Sequence, residues 1–195
     1  MIKFEKVISK VIGEEKIQYG IVFGNEKIVF IKSGAYGGIK GYEAKYLKIA
    51  YRLHERMGAT VICASNPEVP HSVLDEKAIR WVASQLNLSG YELYFVGASD
   101  GGYQNLILAS RFPETVKYLG INSSYIDMEN LEKKIDDLPN VEKIFVYGTK
   151  DDDYDDIVPA LKAMKKDKLK VLEVEGADHK FTGRLDEFIS LTDML

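Results

Sequence analysis

The stretch Gly97-Ala98-Ser99-Asp100-Gly101 sets one hydroxyl among small residues, directly after the apolar run Tyr94-Phe95-Val96. The spacing is G-x-S-x-G. A serine on a sharp turn from strand to helix sits in a strained backbone conformation that exposes its hydroxyl. Side chains two residues to either side would strike the neighbouring strand and helix, and glycine at positions 97 and 101 removes those collisions. The same turn places Ser99 at a helix N-terminus, whose free N–H groups and positive dipole end can hold an oxyanion. The N–H of Asp100 is the expected donor. A serine that merely caps a helix would also fit this pattern, so its partners must decide.

A serine nucleophile needs a base, and the base needs an orienting acid. The chain has 3 histidines. His54 flanks the apolar face of a helical run and reads as structural. His71 lies in a loop just past the strand Ala-Thr-Val-Ile-Cys-Ala-Ser and is expected to touch substrate. His179 follows the last strand, in Gly176-Ala177-Asp178-His179, where a loop can reach back across the sheet edge. It is the expected base. The acid should follow an intermediate strand, where Asp151, Asp152, Asp153, Asp155 and Asp156 crowd together. Their alternation resembles a calcium loop, but the sixth position is Asp156 instead of glycine and the twelfth is Lys162 instead of glutamate. No metal is expected. Most of these aspartates suit a helix start, where the dipole favours negative charge.

The elements that must position these residues follow from periodicity. The first third reads as three strands, Lys-Phe-Glu-Lys-Val-Ile-Ser-Lys-Val-Ile, Lys-Ile-Gln-Tyr-Gly-Ile-Val-Phe-Gly and Glu-Lys-Ile-Val-Phe-Ile-Lys-Ser-Gly, with a hairpin turn expected at Gly24-Asn25 between the last two. Leu47, Ala50, Leu53 and Met57 then recur at helical spacing, and Gly58 stops that helix. Strands and helices alternate from there, with Ser72 suiting one helix start and Pro113 ending the helix after Ser99. Such an order predicts a mostly parallel, twisted sheet covered by helices on both faces. Active sites of these sheets gather at the carboxyl ends of the strands.

Composition narrows the function. The 195 residues are 46% hydrophobic, enough for one sizeable core, and no repeat or Pro/Gly linker divides residues 1–195. A net charge of -4 gives no reason to expect nucleic acid as a partner. Charges scatter through the opening segment, which holds no apolar core of secretory-signal length, and no stretch is long enough to span a membrane. The single cysteine, Cys63, excludes an internal disulfide and agrees with a cytoplasmic location.

Taken together, Gly-Ala-Ser-Asp-Gly-Gly, Tyr-Gly-Thr-Lys-Asp-Asp-Asp and Gly-Ala-Asp-His-Lys-Phe, in the order Ser, Asp, His, make the chain resemble the α/β-hydrolase superfamily over nearly its full length. The resemblance implies Ser99 as nucleophile and His179 as base. It places the acid three residues after Gly148, at Asp151, with Asp153 the second choice. Many members carry His-Gly after the third strand, and the next residue supplies a second oxyanion N–H. Here that stretch is Ser33-Gly34-Ala35-Tyr36, so Ala35 is the implied donor and Tyr36 its alternative. The family often inserts a lid domain where this chain has only Asn122 to Asn140, room for one short helix. The pocket should therefore be shallow, bordered by Tyr36, His71 and Ser124 or Tyr125.

The expected activity is a lidless serine hydrolase acting on a small ester, thioester or related acyl substrate, with no cofactor. A peptidase or amidase on the same fold, and a catalytically silent fold that binds a small ligand, are the alternatives. Neither the natural substrate nor the oligomeric state is legible.

Overall fold

In the computed structural model, residues 2–69, 71–124 and 128–195 are described. Eight strands form one sheet: β1 (Lys6–Ile12), β2 (Glu15–Val22), β3 (Lys27–Lys32), β4 (Thr60–Ala64), β5 (Glu92–Ala98), β6 (Thr115–Ile121), β7 (Glu142–Lys150) and β8 (Leu169–Asp178). Among the described residues six α-helices accompany them: α1 (Lys45–Met57), α2 (Ser72–Gln85), α3 (Asp100–Ala109), α4 (Met128–Asp136), α5 (Tyr154–Ala163) and α6 (Leu185–Ser190). The spatial order is β1-β2-β4-β3-β5-β6-β7-β8. β1, β2 and β4 pair antiparallel at one edge, and every pair from β4 onward is parallel.

The hairpin expected at Gly24-Asn25 does not form. β4 lies between β2 and β3, pairing Gly20 with Cys63 on one side and Ile31 with Cys63 on the other. The tight hairpin joins β1 to β2 instead, with Ile12 opposite Glu15. Gly24 and Asn25 form a crossover tied to the far end of α1. The Gly24 amide donates to Thr60 Oγ1 at 2.8 Å and the Asn25 side chain to the Met57 carbonyl at 3.0 Å.

Strict alternation divides the strands between two cores. Ile28 and Phe30 of β3, Phe95 of β5 and Phe145 of β7 face α2, α3, α4 and α5. Val29, Ile31, Val96 and Val146 face α1 and α6. This division follows from right-handed crossovers. The chain moves one way from β3 to β4 and the other way from β4 through β8, so α1 falls on the opposite face from α2 to α5. The reversal sits between β3 and β5, where the loops leaving adjacent parallel strands diverge and open a crevice. Phe95, fully buried beneath that crevice, packs on Phe30 and Phe112; each such ring contributes roughly 1.5–3 kcal/mol by leaving water. Between β6 and β7, α4 is the only helix among the described residues, and no lid domain is present there. No helix among the described residues is long and apolar enough to cross a membrane.

Candidate active site

Ser99 joins β5 to α3 with φ 53 and ψ −132, a conformation that costs a non-glycine residue about 1–3 kcal/mol. The surroundings hold it there. Its amide donates to the Ile121 carbonyl at 3.0 Å, and its carbonyl accepts from the Gly102 amide at 2.9 Å. A side chain at Gly97 would lie 2.4 Å from the Gly101 carbonyl oxygen, and one at Gly101 would lie 2.2 Å from that of Ser33. Both glycines are therefore required by close backbone approach, as the motif spacing predicts.

Two loops from distant strands meet this serine. Ser99 Oγ lies 3.0 Å from His179 Nε2, and His179 Nδ1 lies 2.7 Å from Asp151 Oδ2. With Nδ1–H donating to the carboxylate, Nε2 is left as the acceptor for the serine proton. Asp151 is almost fully buried just past β7, and its other oxygen accepts from the Asp153 amide at 2.9 Å. The structure thus brings Asp151 to the imidazole, while Asp153 precedes α5 and Asp155 and Asp156 occupy its first turn. The hydrogen bond that His179 donates to Asp151 raises the His179 pKa above its ordinary value, against partial burial, which lowers it.

Asn122, just past β6, had no assigned role in the sequence. Its backbone takes φ 43, and its side chain braces both loops. The amide nitrogen donates to the Asp178 and His179 carbonyls at 3.0 and 3.1 Å, and the oxygen accepts from the Gly148 amide at 2.8 Å. The loops that carry Asp151 and His179 are therefore fixed to one side chain.

The loop after β3 approaches the serine from the other side. A side chain at Gly34 would stand 3.2 Å from Ser99 Cβ. Ser33 donates its hydroxyl to the Gly37 carbonyl at 2.8 Å and so closes the loop on itself. The Tyr36 amide donates to the Asn66 carbonyl at 2.8 Å and is spent. Among the described residues, the amides of Ala35 and Asp100 have no such acceptor, leaving both free to point at a ligand. Asn66, buried past β4, binds these halves together. Its backbone amide donates to the Gly37 carbonyl at 2.9 Å, and its side chain donates to the Ser33 carbonyl at 3.0 Å and Asp100 Oδ2 at 2.9 Å. Gln104 donates to Asp100 Oδ2 and to Asn66 Oδ1. An amide side chain immediately beyond a strand end, before Pro67, is the one sequence signal that marks Asn66.

A cleft of about 450 Å³ lies along Ala35, Tyr36, Glu68, His71, Asp100 and Gln104. Tyr36 is 72% exposed there, its hydroxyl turned to Glu68. His71 borders the cleft, but its ring is committed. Nδ1 donates to the Val69 carbonyl, and Nε2 accepts from the buried Lys32 ammonium. Lys32 also donates to Asp75 Oδ2 at 2.5 Å, and the Tyr19 hydroxyl donates to Asp75 Oδ1 at 2.8 Å. His71 is itself buried, and both its ring nitrogens are taken by these contacts. Its main task is to cap a buried ion pair that ties α2 to the end of β3. Asp75 lies in the first turn of α2, which is preceded by His71, with Ser72 its first residue. Tyr125 lies outside the described residues. His54 has Nδ1 3.2 Å from the Ala59 carbonyl, as a structural histidine should. Among the described residues, no group of three or more His, Cys, Asp or Glu could hold a metal ion.

An eight-stranded, mostly parallel sheet with this strand order, and a serine on the turn after β5, defines the α/β-hydrolase fold. Solved structures agree. Est1E from Butyrivibrio proteoclasticus superposes with a TM-score of 0.73 at 14% identity, over 96% of each chain. A protein of unknown function from Agrobacterium tumefaciens gives 0.74 at 18% identity, over 97% of this chain and 94% of that one. Dienelactone hydrolase from Anabaena variabilis gives 0.61 at 17% identity, over 100% and 97%. No protein-family model and no curated protein matches the chain. The chain has the α/β-hydrolase fold, and at these identities the likeness speaks for the fold alone.

Proposed function

We propose that this protein is a serine hydrolase that cleaves small ester or thioester acyl substrates through an acyl-enzyme on Ser99. The observation that carries this reading is the unbroken chain of contacts from Ser99 Oγ to His179 Nε2 at 3.0 Å and from His179 Nδ1 to Asp151 at 2.7 Å. Ser99 attacks the substrate carbonyl as His179 takes its proton. The amides of Ala35 and Asp100 hold the oxygen as it gains charge, a contribution of about 2.7–4 kcal/mol for each donor in comparable sites. Asp151 fixes the imidazole tautomer and stabilises the imidazolium. His179 returns the proton to the departing oxygen or sulfur. It then takes a proton from water, which attacks the acyl carbonyl and frees Ser99. Solved structures of the same fold described as esterases and hydrolases support the reaction class.

The test is labelling with a fluorophosphonate and turnover of soluble acetate esters. Intact-protein mass spectrometry should show one adduct, absent in Ser99→Ala. His179→Ala should lower kcat by about 10⁴-fold or more, as expected for loss of one member of such a unit. Because the β6–β7 connection holds only α4 among the described residues, p-nitrophenyl esters should be favoured at short acyl lengths, without activation at an oil–water interface. Labelling that survives Ser99→Ala refutes the reading.

A further inference from the structure

A second cavity of about 610 Å³ is lined by Ser33, Gly34, Ala35 and Gly37 of the same loop and shares Ala35 with the proposed oxyanion site. Its far wall is aromatic, with Tyr46 and Phe181 and Phe188 buried behind it. Phe181 packs edge-on against Phe188 at 5.4 Å, and Tyr46 against Phe188 at 6.4 Å. Into this wall is set the half-buried ammonium of Lys45. It lies 4.0 Å from the Phe188 ring centre and 5.2 Å from that of Tyr46. Lys45 has no carboxylate partner among the described residues. Glu43, on the same rim, is turned to the Tyr42 hydroxyl. A cation part-desolvated against aromatic faces and left without a counter-ion is poised to accept one from a ligand. Burial already lowers the Lys45 pKa, which a bound anion would reverse.

We propose that this cavity receives the leaving group of the substrate and that Lys45 recognises a carboxylate or similar anion on it. The substrate is then the ester of an anionic, preferably aromatic, hydroxy compound. This rests on the serine-hydrolase reading. The orientation follows from proton transfer: the departing oxygen must take its proton from His179 Nε2, and Lys180 and Phe181, immediately after His179, line this cavity. The acyl group then occupies the cleft beside Asp100 and Gln104. The aromatic wall stacks the ring, and the Lys45 ammonium donates to the anion, a charge-assisted contact sheltered from bulk water.

The experiment compares 3-acetoxybenzoate with 3-acetoxybenzamide, which match in shape and differ in charge. The wild-type specificity constant should favour the anion by about tenfold, the range of one charge-assisted contact at a sheltered site. The ratio should fall to about one in Lys45→Met and persist in Lys45→Arg. A general loss of folding would scale both substrates alike and leave the ratio unmoved. Direct titration of Ser99→Ala with 3-hydroxybenzoate and 3-hydroxybenzamide reads binding without turnover. Hydrolysis of both esters with no preference, or a preference that survives Lys45→Met, overturns the subsite and leaves the serine hydrolase standing. Lys45-dependent binding of hydroxybenzoate by a chain that hydrolyses no ester retires the hydrolase reading and keeps the anion site. A preference seen instead for mono-p-nitrophenyl succinate over p-nitrophenyl butyrate overturns the leaving-group assignment.

Discussion

Asn66→Ala tests how the two halves of the proposed oxyanion site are held in register. The substitution removes the side-chain hydrogen bonds to the Ser33 carbonyl and to Asp100 Oδ2, together with the one accepted from Gln104. The backbone clasp survives, because the Asn66 amide and carbonyl still bind Gly37 and Tyr36. The loop therefore stays near its place but loses its tether to α3. Loss of one oxyanion donor outright costs about 10²–10³ in kcat. A donor that is present but loosely aimed should cost less, about 10–100-fold, with KM changed by less than about threefold. Two neutral bonds and one to a charged acceptor also imply a stability loss of roughly 3 kcal/mol, or about 6–12 °C in Tm for a chain of this size. The assay is steady-state hydrolysis of a soluble acetate ester at a temperature where circular dichroism shows the variant folded. It is paired with the inhibition constant of a trifluoromethyl ketone, whose oxyanion mimics the intermediate. Affinity for the ketone should fall by the same factor as kcat/KM. A folded variant with kcat within about threefold of wild type refutes the argument, and so does reduced kcat with unchanged ketone affinity.

Two further outcomes follow from the same geometry. Asp151 raises the His179 pKa, and the base works only when neutral, so kcat/KM should climb with pH through an inflection above the ordinary histidine value of 6.5; Asp151→Asn should move that inflection down and cut the plateau by about 10⁴-fold, while Asp153→Asn should leave the inflection in place, and an unmoved inflection in Asp151→Asn would remove Asp151 from its role. Lys32→Met strands the buried Asp75 carboxylate and should cost about 3–5 kcal/mol in urea unfolding, most of it regained in Lys32→Met/Asp75→Leu; a single-variant loss under about 1 kcal/mol would show that the pair is not sealed from water.

The turn at Ser99 was legible because its glycines stand at fixed offsets from the serine. Gly97 and Gly101 are needed by collisions that involve the turn, its own helix and the strand beside it, and such collisions select glycine at fixed offsets from Ser99. The amphipathic run from Leu47 to Met57 and the apolar strand cores were equally plain, since periodicity reports which face is buried. The sequence order of Ser99, the aspartate cluster and His179 was visible, and so was the want of room for a lid domain between Asn122 and Asn140. Strand neighbours were not visible. Local turn chemistry favoured pairing β2 with β3, but the connection through α1 returned β4 between them. Partners joined by hydrogen bonds across the sheet were also hidden. The spacing from Gly148 favoured Asp151 over Asp153 only through the family resemblance; the contact itself depends on a loop 28 residues later that brings His179 to one carboxylate. Ala35 rather than Tyr36 keeps its amide free because Asn66, arriving from another strand, takes the Tyr36 donor. Lys32 ends a run that reads as ordinary strand, and only the packing of α2, whose Asp75 lies 43 positions away, turns it into half of a buried ion pair. The collision at Gly97 lies within its own turn and that at Gly101 is with the Ser33 carbonyl of the adjacent strand end, yet both fall at fixed offsets from the serine and so leave a mark on residue types. A hydrogen bond between distant segments depends on where the fold delivers both ends, which the identity of either end does not record.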